Sequence, residues 1–132
     1  MTLVGIGTDI VHVPRMARGL ERFGERYAER LLTPDELREF RRSARPAQFL
    51  AKRFAAKEAF VKALGSGFRA GITWRQVGVG HDPLGRPVLV SLAAAAAQAE
   101  ALGVTGTFLS LADDGDYAVA YVTLLGGRAR PD

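Results

Sequence analysis

Residues 45–67 read RPAQFLAKRFAAKEAFVKALGSG, and this stretch decides the fold. Pro46 stands near its start, alanine and lysine fill its length, and Gly65 stops it, which is the grammar of one long helix. Leu50, Phe54, Val61 and Leu64 fall on one stripe, so the spacing predicts a central helix on which the rest of the chain packs. Immediately upstream, TPDELREF at 33–40 places Thr33 as N-cap, Pro34 at the first helical position and Glu36 three residues after the cap. That is a capping box, and a short helix starts there.

Working outward, RMARGLERFGERYAER at 15–30 spaces Met16, Leu20, Phe23 and Tyr27 as a helix does, with Arg15, Arg18, Arg22 and Arg26 between them. Gly19 and Gly24 predict that this helix is weak and broken. LVGIGTDIVHV at 3–13 is rich in β-branched residues and precedes Pro14, as a strand would. A period of two puts Gly5, Gly7, Asp9, Val11 and Val13 on one face, with open space expected beside Asp9. Past the central helix, residues 72–92 read as a hairpin turning in DPLGRP, and 91–103 as a helix capped by Ser91 and ending at Gly103. Residues 106–125 read as a second hairpin turning at DDGD, and 126–132 as a frayed tail. The order predicts an α+β fold, a mostly antiparallel sheet packed on one long central helix, in a single domain over 1–132.

Composition narrows the classes. The chain has 132 residues, 48% hydrophobic and 24% charged, in the range of ordinary globular domains. It has no cysteine, which excludes disulfides and thiolate metal sites, and only His12 and His81 as nitrogen ligands. The N-terminal apolar run is interrupted by Asp9 and ended by Pro14, so neither a secretion signal nor a spanning helix is expected, and the cytoplasm is the simplest location. Residues 1–62 hold 13 Lys/Arg against 8 Asp/Glu, and 63–132 hold 5 against 6. All of the net charge of +4 therefore sits in the first half, which could face a phosphorylated ligand, an acidic protein, a nucleic acid or an anionic membrane.

Two glycine groups fail as phosphate loops: GIGTDI continues into strand, and GSG follows a helix C-terminus, where the dipole repels anions. Glu58 and Lys62 are four apart and share a helix face. One reading is a surface ion pair contributing roughly 0.2–0.5 kcal/mol. The other adds Asp9, because two carboxylates from distant segments with a lysine beside them suit Mg²⁺ and a phosphate substrate. His12, on the strand face opposite Asp9, and His81, in a turn, read as structural or solvated.

GIGTDIVHVPR, RFAAKEAFVKALGSGFR, GRPVL and LSLADDGDYAVAYV, in that order, together resemble the small 4′-phosphopantetheinyl transferases of the holo-(acyl-carrier-protein) synthase type. The resemblance runs over nearly the whole chain. It implies transfer of 4′-phosphopantetheine from coenzyme A to a serine of apo acyl carrier protein, releasing adenosine 3′,5′-bisphosphate, in support of fatty acid biosynthesis. It places Asp9 and Glu58 as magnesium ligands, Lys62 on the coenzyme A phosphates and Arg53 at the coenzyme A site. Glu58, directly or through a water, is the candidate base, and Lys62 assists at the phosphates. It implies docking of the acidic carrier on Arg15, Arg22 and Arg26, and a homotrimer with active sites between subunits. One position departs from a common family pattern: Asp113 stands where many relatives carry histidine, as in a Leu-Ala-Asp subset. The competing reading is a non-catalytic basic module. RNA-binding sheets of that kind show aromatics beside the basic residues, whereas Trp74 and Tyr117 stand apart here, so neither nucleic acid nor membrane is an expected partner.

Overall fold

The computed structural model describes residues 1–127. The chain runs β1 (Thr2–His12), α1 (Val13–Phe23), α2 (Glu25–Leu31), α3 (Pro34–Arg42) and α4 (Pro46–Leu64). A short 3₁₀ turn (Trp74–Gln76), β2 (Val77–His81), β3 (Pro87–Ser91), α5 (Ala93–Ala101), β4 (Val104–Asp114) and β5 (Tyr117–Gly126) follow. All pairings are antiparallel, but the expected single sheet is two: β1-β5-β4, and the hairpin β2-β3, with β3 lying alongside β4.

α4 is the centre, lying across β1 and β5. Its burial departs from the single stripe read in the sequence: Ala51, Ala55, Ala56, Ala59, Phe60 and Ala63 are buried as well as Leu50, Phe54, Val61 and Leu64. Small residues allow this, because strand and helix backbones come together where side chains are short. The open space expected at Gly5 and Gly7 is absent for the same reason. A Cβ on Gly5 would lie 2.0 Å from the Ala63 carbonyl oxygen, and one on Gly7 the same distance from that of Ala59. Gly65, in the left-handed region at φ 77°, ends α4, a conformation that costs glycine least.

The local signals around α4 are present as read. Thr33 accepts from the Glu36 backbone N–H while the Glu36 side chain accepts from the Thr33 N–H, the reciprocal capping box. The arginine-rich helix breaks at Gly24, whose φ is 64°, and Gly19 lies under the Tyr27 ring. The β4–β5 turn is the two-residue Gly115-Asp116 connection, with Gly115 at φ 58°. Val13, read as the last strand residue, instead opens α1, where Pro14 occupies the first turn.

Other boundaries also differ from the sequence reading: the first hairpin begins at Val77 rather than at residue 72, and β4 at Val104 rather than at residue 106. Ser91 does not cap α5, because it is held in the β2–β3 ladder opposite Val77. The helix starts one residue later, and Gln76 Oε1 accepts from Ala95 N at 3.1 Å in place of a local cap. Gly126, assigned to the tail, pairs with Thr2 and Val104 and belongs to β5; residues 128–132 of that tail lie outside the described residues. No helix among the described residues is long and apolar enough to cross a membrane.

Candidate active site

The inward face of the three-stranded sheet carries Asp9 in register with Ala120 and Leu111. Most residues on that face are buried under α4, but Asp9 lies beyond the glycine-alanine seam, with its side chain 15% exposed. α4 presents Glu58 and Lys62 to it. Lys62 Nζ donates to Asp9 Oδ1 at 3.0 Å and to the Thr8 carbonyl at 3.2 Å. Of the two readings of Glu58 and Lys62, the helix-surface pair is therefore not the one formed: Lys62 bridges to a residue 53 positions away.

Glu58 is left near Asp9, and among the described residues no cation is hydrogen-bonded to it. Its partial burial, and then the Asp9 charge, raise its carboxyl above the usual glutamate range; Lys62 and Arg15 pull it back. Arg15 reaches this place from the first turn of α1, its guanidinium 5.0 Å from the Phe54 ring centre, a cation–π arrangement. Phe54 stacks on Trp74 at 4.7 Å, and Trp74 on Phe68 at 3.9 Å. Trp74, apart from other aromatics in the sequence, thus sits inside an aromatic column. His12 is exposed on the opposite face and packs on Tyr117 at 5.1 Å.

The structure separates Arg53 from this cluster. Its guanidinium is buried, donating to Val79 O at 2.8 Å, Glu39 Oε2 at 3.0 Å and Glu36 Oε2 at 3.3 Å, and it lies over the Phe49 ring. The charge that the resemblance places at the coenzyme A site is balanced within the chain by the buried Glu36 and by Glu39, whose side chain is 37% exposed. It does form part of the wall of a groove of about 590 Å³ between α4, the β2–β3 turn and β4. Arg45, Lys52, His81, Arg86 and Asp113 also line that groove, and Lys52 pairs with Asp113 at 3.3 Å. Sequence reasoning missed Arg45, Lys52 and Arg86, which belong to the basic excess but show no spacing that would single them out.

A third surface lies on α1 and α2. Arg18, Glu21, Arg22, Phe23 and Tyr27 line a shallow depression, with Arg22 stacked over Phe23 at 5.1 Å. Among the described residues Arg15, Arg18, Arg22 and Arg26 form no salt bridge, while Glu25 is taken by Arg41 of α3.

Comparison with known proteins decides the family. The model of the 4′-phosphopantetheinyl transferase superfamily matches residues 5–122, nearly the whole chain. The chain belongs to that superfamily. A holo-(acyl-carrier-protein) synthase of Halorhodospira halophila is 55% identical over 125 residues, covering 95% of this chain and 99% of that one. The crystal structure of the Neisseria meningitidis holo-(acyl-carrier-protein) synthase matches with a TM-score of 0.88 at 44% identity, covering 94% of this chain and 99% of that one. A Bacillus anthracis holo-(acyl-carrier-protein) synthase in complex with coenzyme A (3′,5′-ADP) matches with a TM-score of 0.78 at 31% identity, covering 96% and 100%. In this transferase the α+β fold expected from the sequence is the family's fold.

Proposed function

We propose that the protein transfers the 4′-phosphopantetheine group of coenzyme A to a serine of apo acyl carrier protein, yielding the holo carrier and adenosine 3′,5′-bisphosphate. The observation that carries this reading is the convergence of Asp9 from β1 with Glu58 and Lys62 from α4 in a member of this superfamily.

The donor set fits Mg²⁺. Two carboxylates face each other and are partly dehydrated, with Asp9 raising the proton affinity of Glu58, and a small hard cation relieves that repulsion. No group of three or more potential ligands gathers among the described residues, and Mg²⁺ takes one or two carboxylates, leaving its other positions to water and phosphate oxygens. When bound, Mg²⁺ neutralises charge on the pyrophosphate.

The chain's own residues do the rest. The serine oxygen bonds to the β-phosphorus of coenzyme A as the bond from that phosphorus to the bridging oxygen breaks, and the bridging oxygen leaves with adenosine 3′,5′-bisphosphate. Glu58, directly or through one water, accepts the serine proton; its raised proton affinity brings it closer to the ideal for a general base. Lys62, half exposed, turns from Asp9 to the phosphate oxygens and offsets the charge of the leaving group. The basic groove lined by Arg45, Lys52 and Arg86 suits the adenosine bisphosphate portion, with Arg53 acting from the wall. The acidic carrier docks on Arg15, Arg22 and Arg26, where opposite charge speeds encounter and orients the serine.

A homotrimer completes the site. Asp9 lies on β1, one edge of the three-stranded sheet, and the groove is lined by Leu109, Ser110, Leu111 and Asp113 of β4, the other edge. Bringing the β1 edge of one copy to the β4 edge of the next joins the two halves. The outward sheet face supplies the apolar surface for it, with Ile6, Ile10, Phe108 and Tyr121 exposed. The cytoplasm, in keeping with a chain free of cysteine, is the proposed location, and the supply of holo carrier for fatty acid synthesis the proposed role.

The test is direct: incubate the protein with apo acyl carrier protein, coenzyme A and Mg²⁺ and follow the carrier's mass. A phosphopantetheine increment that EDTA abolishes is expected. A carrier of unchanged mass in the presence of folded protein would overturn the reading.

A further inference from the structure

The helix that carries Glu58 and Lys62 meets β1 along a smooth seam, Gly5 and Gly7 against Ala59 and Ala63. Such a seam brings the backbones close but has no interdigitating side chains to stop α4 from rotating or sliding. Besides the large apolar side chains that α4 buries elsewhere, Leu50, Phe60, Val61 and Leu64 among them, directional bonds hold its other flank. Lys57 and Arg53, one turn apart, both reach Glu36 of α3. Glu36 Oε1 accepts from Lys57 Nζ at 2.6 Å and Thr33 N at 2.9 Å; Oε2 accepts from Val79 N at 3.1 Å and Arg53 Nη1 at 3.3 Å. Lys57 Nζ also donates to Val77 O at 2.5 Å and Trp74 O at 3.1 Å. The side chains of Lys57, Glu36 and Arg53 are 0%, 1% and 6% exposed. One carboxylate thus ties the start of α3, the middle of α4 and strand β2 together.

An ion pair buried this deeply is weak evidence for stability, since apolar residues of similar size replace such pairs at little or no cost. Its directional bonds do something that apolar packing against glycine and alanine does not. We propose that the Glu36–Lys57–Arg53 cluster is a positioning device, setting the rotation and axial place of α4 and with them the approach of Glu58 and Lys62 to Asp9. Lys57 is the immediate neighbour of Glu58, so any turn of the helix that releases one carries the other. With side chains about 5–6 Å from the axis, a rotation of about 20° moves the Glu58 carboxylate by about 2 Å. Ligand distances in a metal site hold to about 0.2 Å, so a shift of that size disassembles the site without unfolding anything.

This inference rests on the reading of Asp9 and Glu58 as a cation site, and the experiment separates the two. Mn²⁺ binding is measured by electron paramagnetic resonance in the presence of coenzyme A, alongside the Mg²⁺ concentration for half-maximal transfer, on the wild type and on Lys57→Met. In that variant Glu36 keeps Arg53, Thr33 N and Val79 N. The expected result is a loss of metal affinity of about tenfold or more by both measures, with an unchanged KM for the carrier, in a protein that is still folded at the assay temperature although its thermal midpoint falls, since one partner of a buried pair is gone. Glu36→Gln, which keeps the shape and the contact with Thr33, is the second variant, with a loss of at least about threefold. Either variant, folded and with wild-type metal titrations, overturns the positioning role alone. A wild type that binds no Mn²⁺ overturns the cation site and the positioning role with it.

Discussion

Gly7 shows what a single absent side chain does here. Its would-be Cβ meets the Ala59 carbonyl oxygen at 2.0 Å and the Ala63 nitrogen at 2.8 Å, and neither is a flexible group that can give way. Gly7→Ala must push β1 and α4 apart, and we expect a loss of about 3 kcal/mol or more, at the top of the overpacking range, read from urea unfolding. A midpoint equal to the wild type would mean that the seam is looser than described. Glu58 carries the second prediction at this scale. Its folded form holds its proton more tightly than the ordinary value of 4.5, so across the window from that value upward the native state binds more protons than the unfolded chain. Metal-free stability must then fall as pH rises through the window. In EDTA, Glu58→Gln removes this slope and melts above the wild type toward neutral pH, while its turnover drops by about 10²-fold or more, as for a lost general base. A wild type and variant with parallel melting profiles would show that Glu58 feels no such strain. Asp9 was conspicuous in the sequence as an acid inside a strand. That Lys62 bonds to Asp9 rather than to Glu58 was not legible, because helix spacing describes neighbours on one helix and not what approaches from the sheet.

At the scale of elements, the capping box at Thr33, the stop at Gly65 and the turn at Gly115 were readable because each is closed by residues within a few positions. α5 was misplaced by one residue because its N-terminal donor is met by Gln76, 19 positions upstream, while Ser91 is held in a ladder. α1 was readable as basic and broken, and the structure adds that its arginines form no ion pair among the described residues. A charge reversal there should act on encounter with the carrier and on little else: Arg22→Glu is expected to raise the KM for the carrier about tenfold. The KM for coenzyme A and the thermal midpoint should not move. Raised salt should narrow the gap between variant and wild type, since exposed charges are screened. An unchanged carrier KM would move the docking surface elsewhere.

Considered as a whole, the molecule leaves Ile6, Ile10, Phe108 and Tyr121, interspersed with Thr8 and Ser110, on one exposed sheet face, and exposed apolar side chains set among polar ones mark an association site. It also places Asp9 and the basic groove at opposite edges of one sheet. Ile10, 63% exposed, makes few contacts within the chain, so Ile10→Asp should leave the protomer folded. We expect it to shift the mass measured by light scattering from trimer to monomer and to lower turnover by at least about tenfold at equal protein concentration. A wild type that is monomeric and fully active would overturn the shared site.

By itself the sequence determined the helix that organises the fold, the start of α3, the end of α4, the turn between the last two strands and the acid that interrupts the first strand, since propensity, capping and turn chemistry act over a few residues. The tertiary structure alone decided the rest. It closed the glycine-alanine seam where space was expected, buried Arg53 and Lys57 on Glu36, turned Lys62 toward Asp9 and split the sheet in two. Each of these depends on which distant backbones come into contact, and there the cost of leaving a buried charge or hydrogen-bonding group unpaired selects partners that no local pattern names.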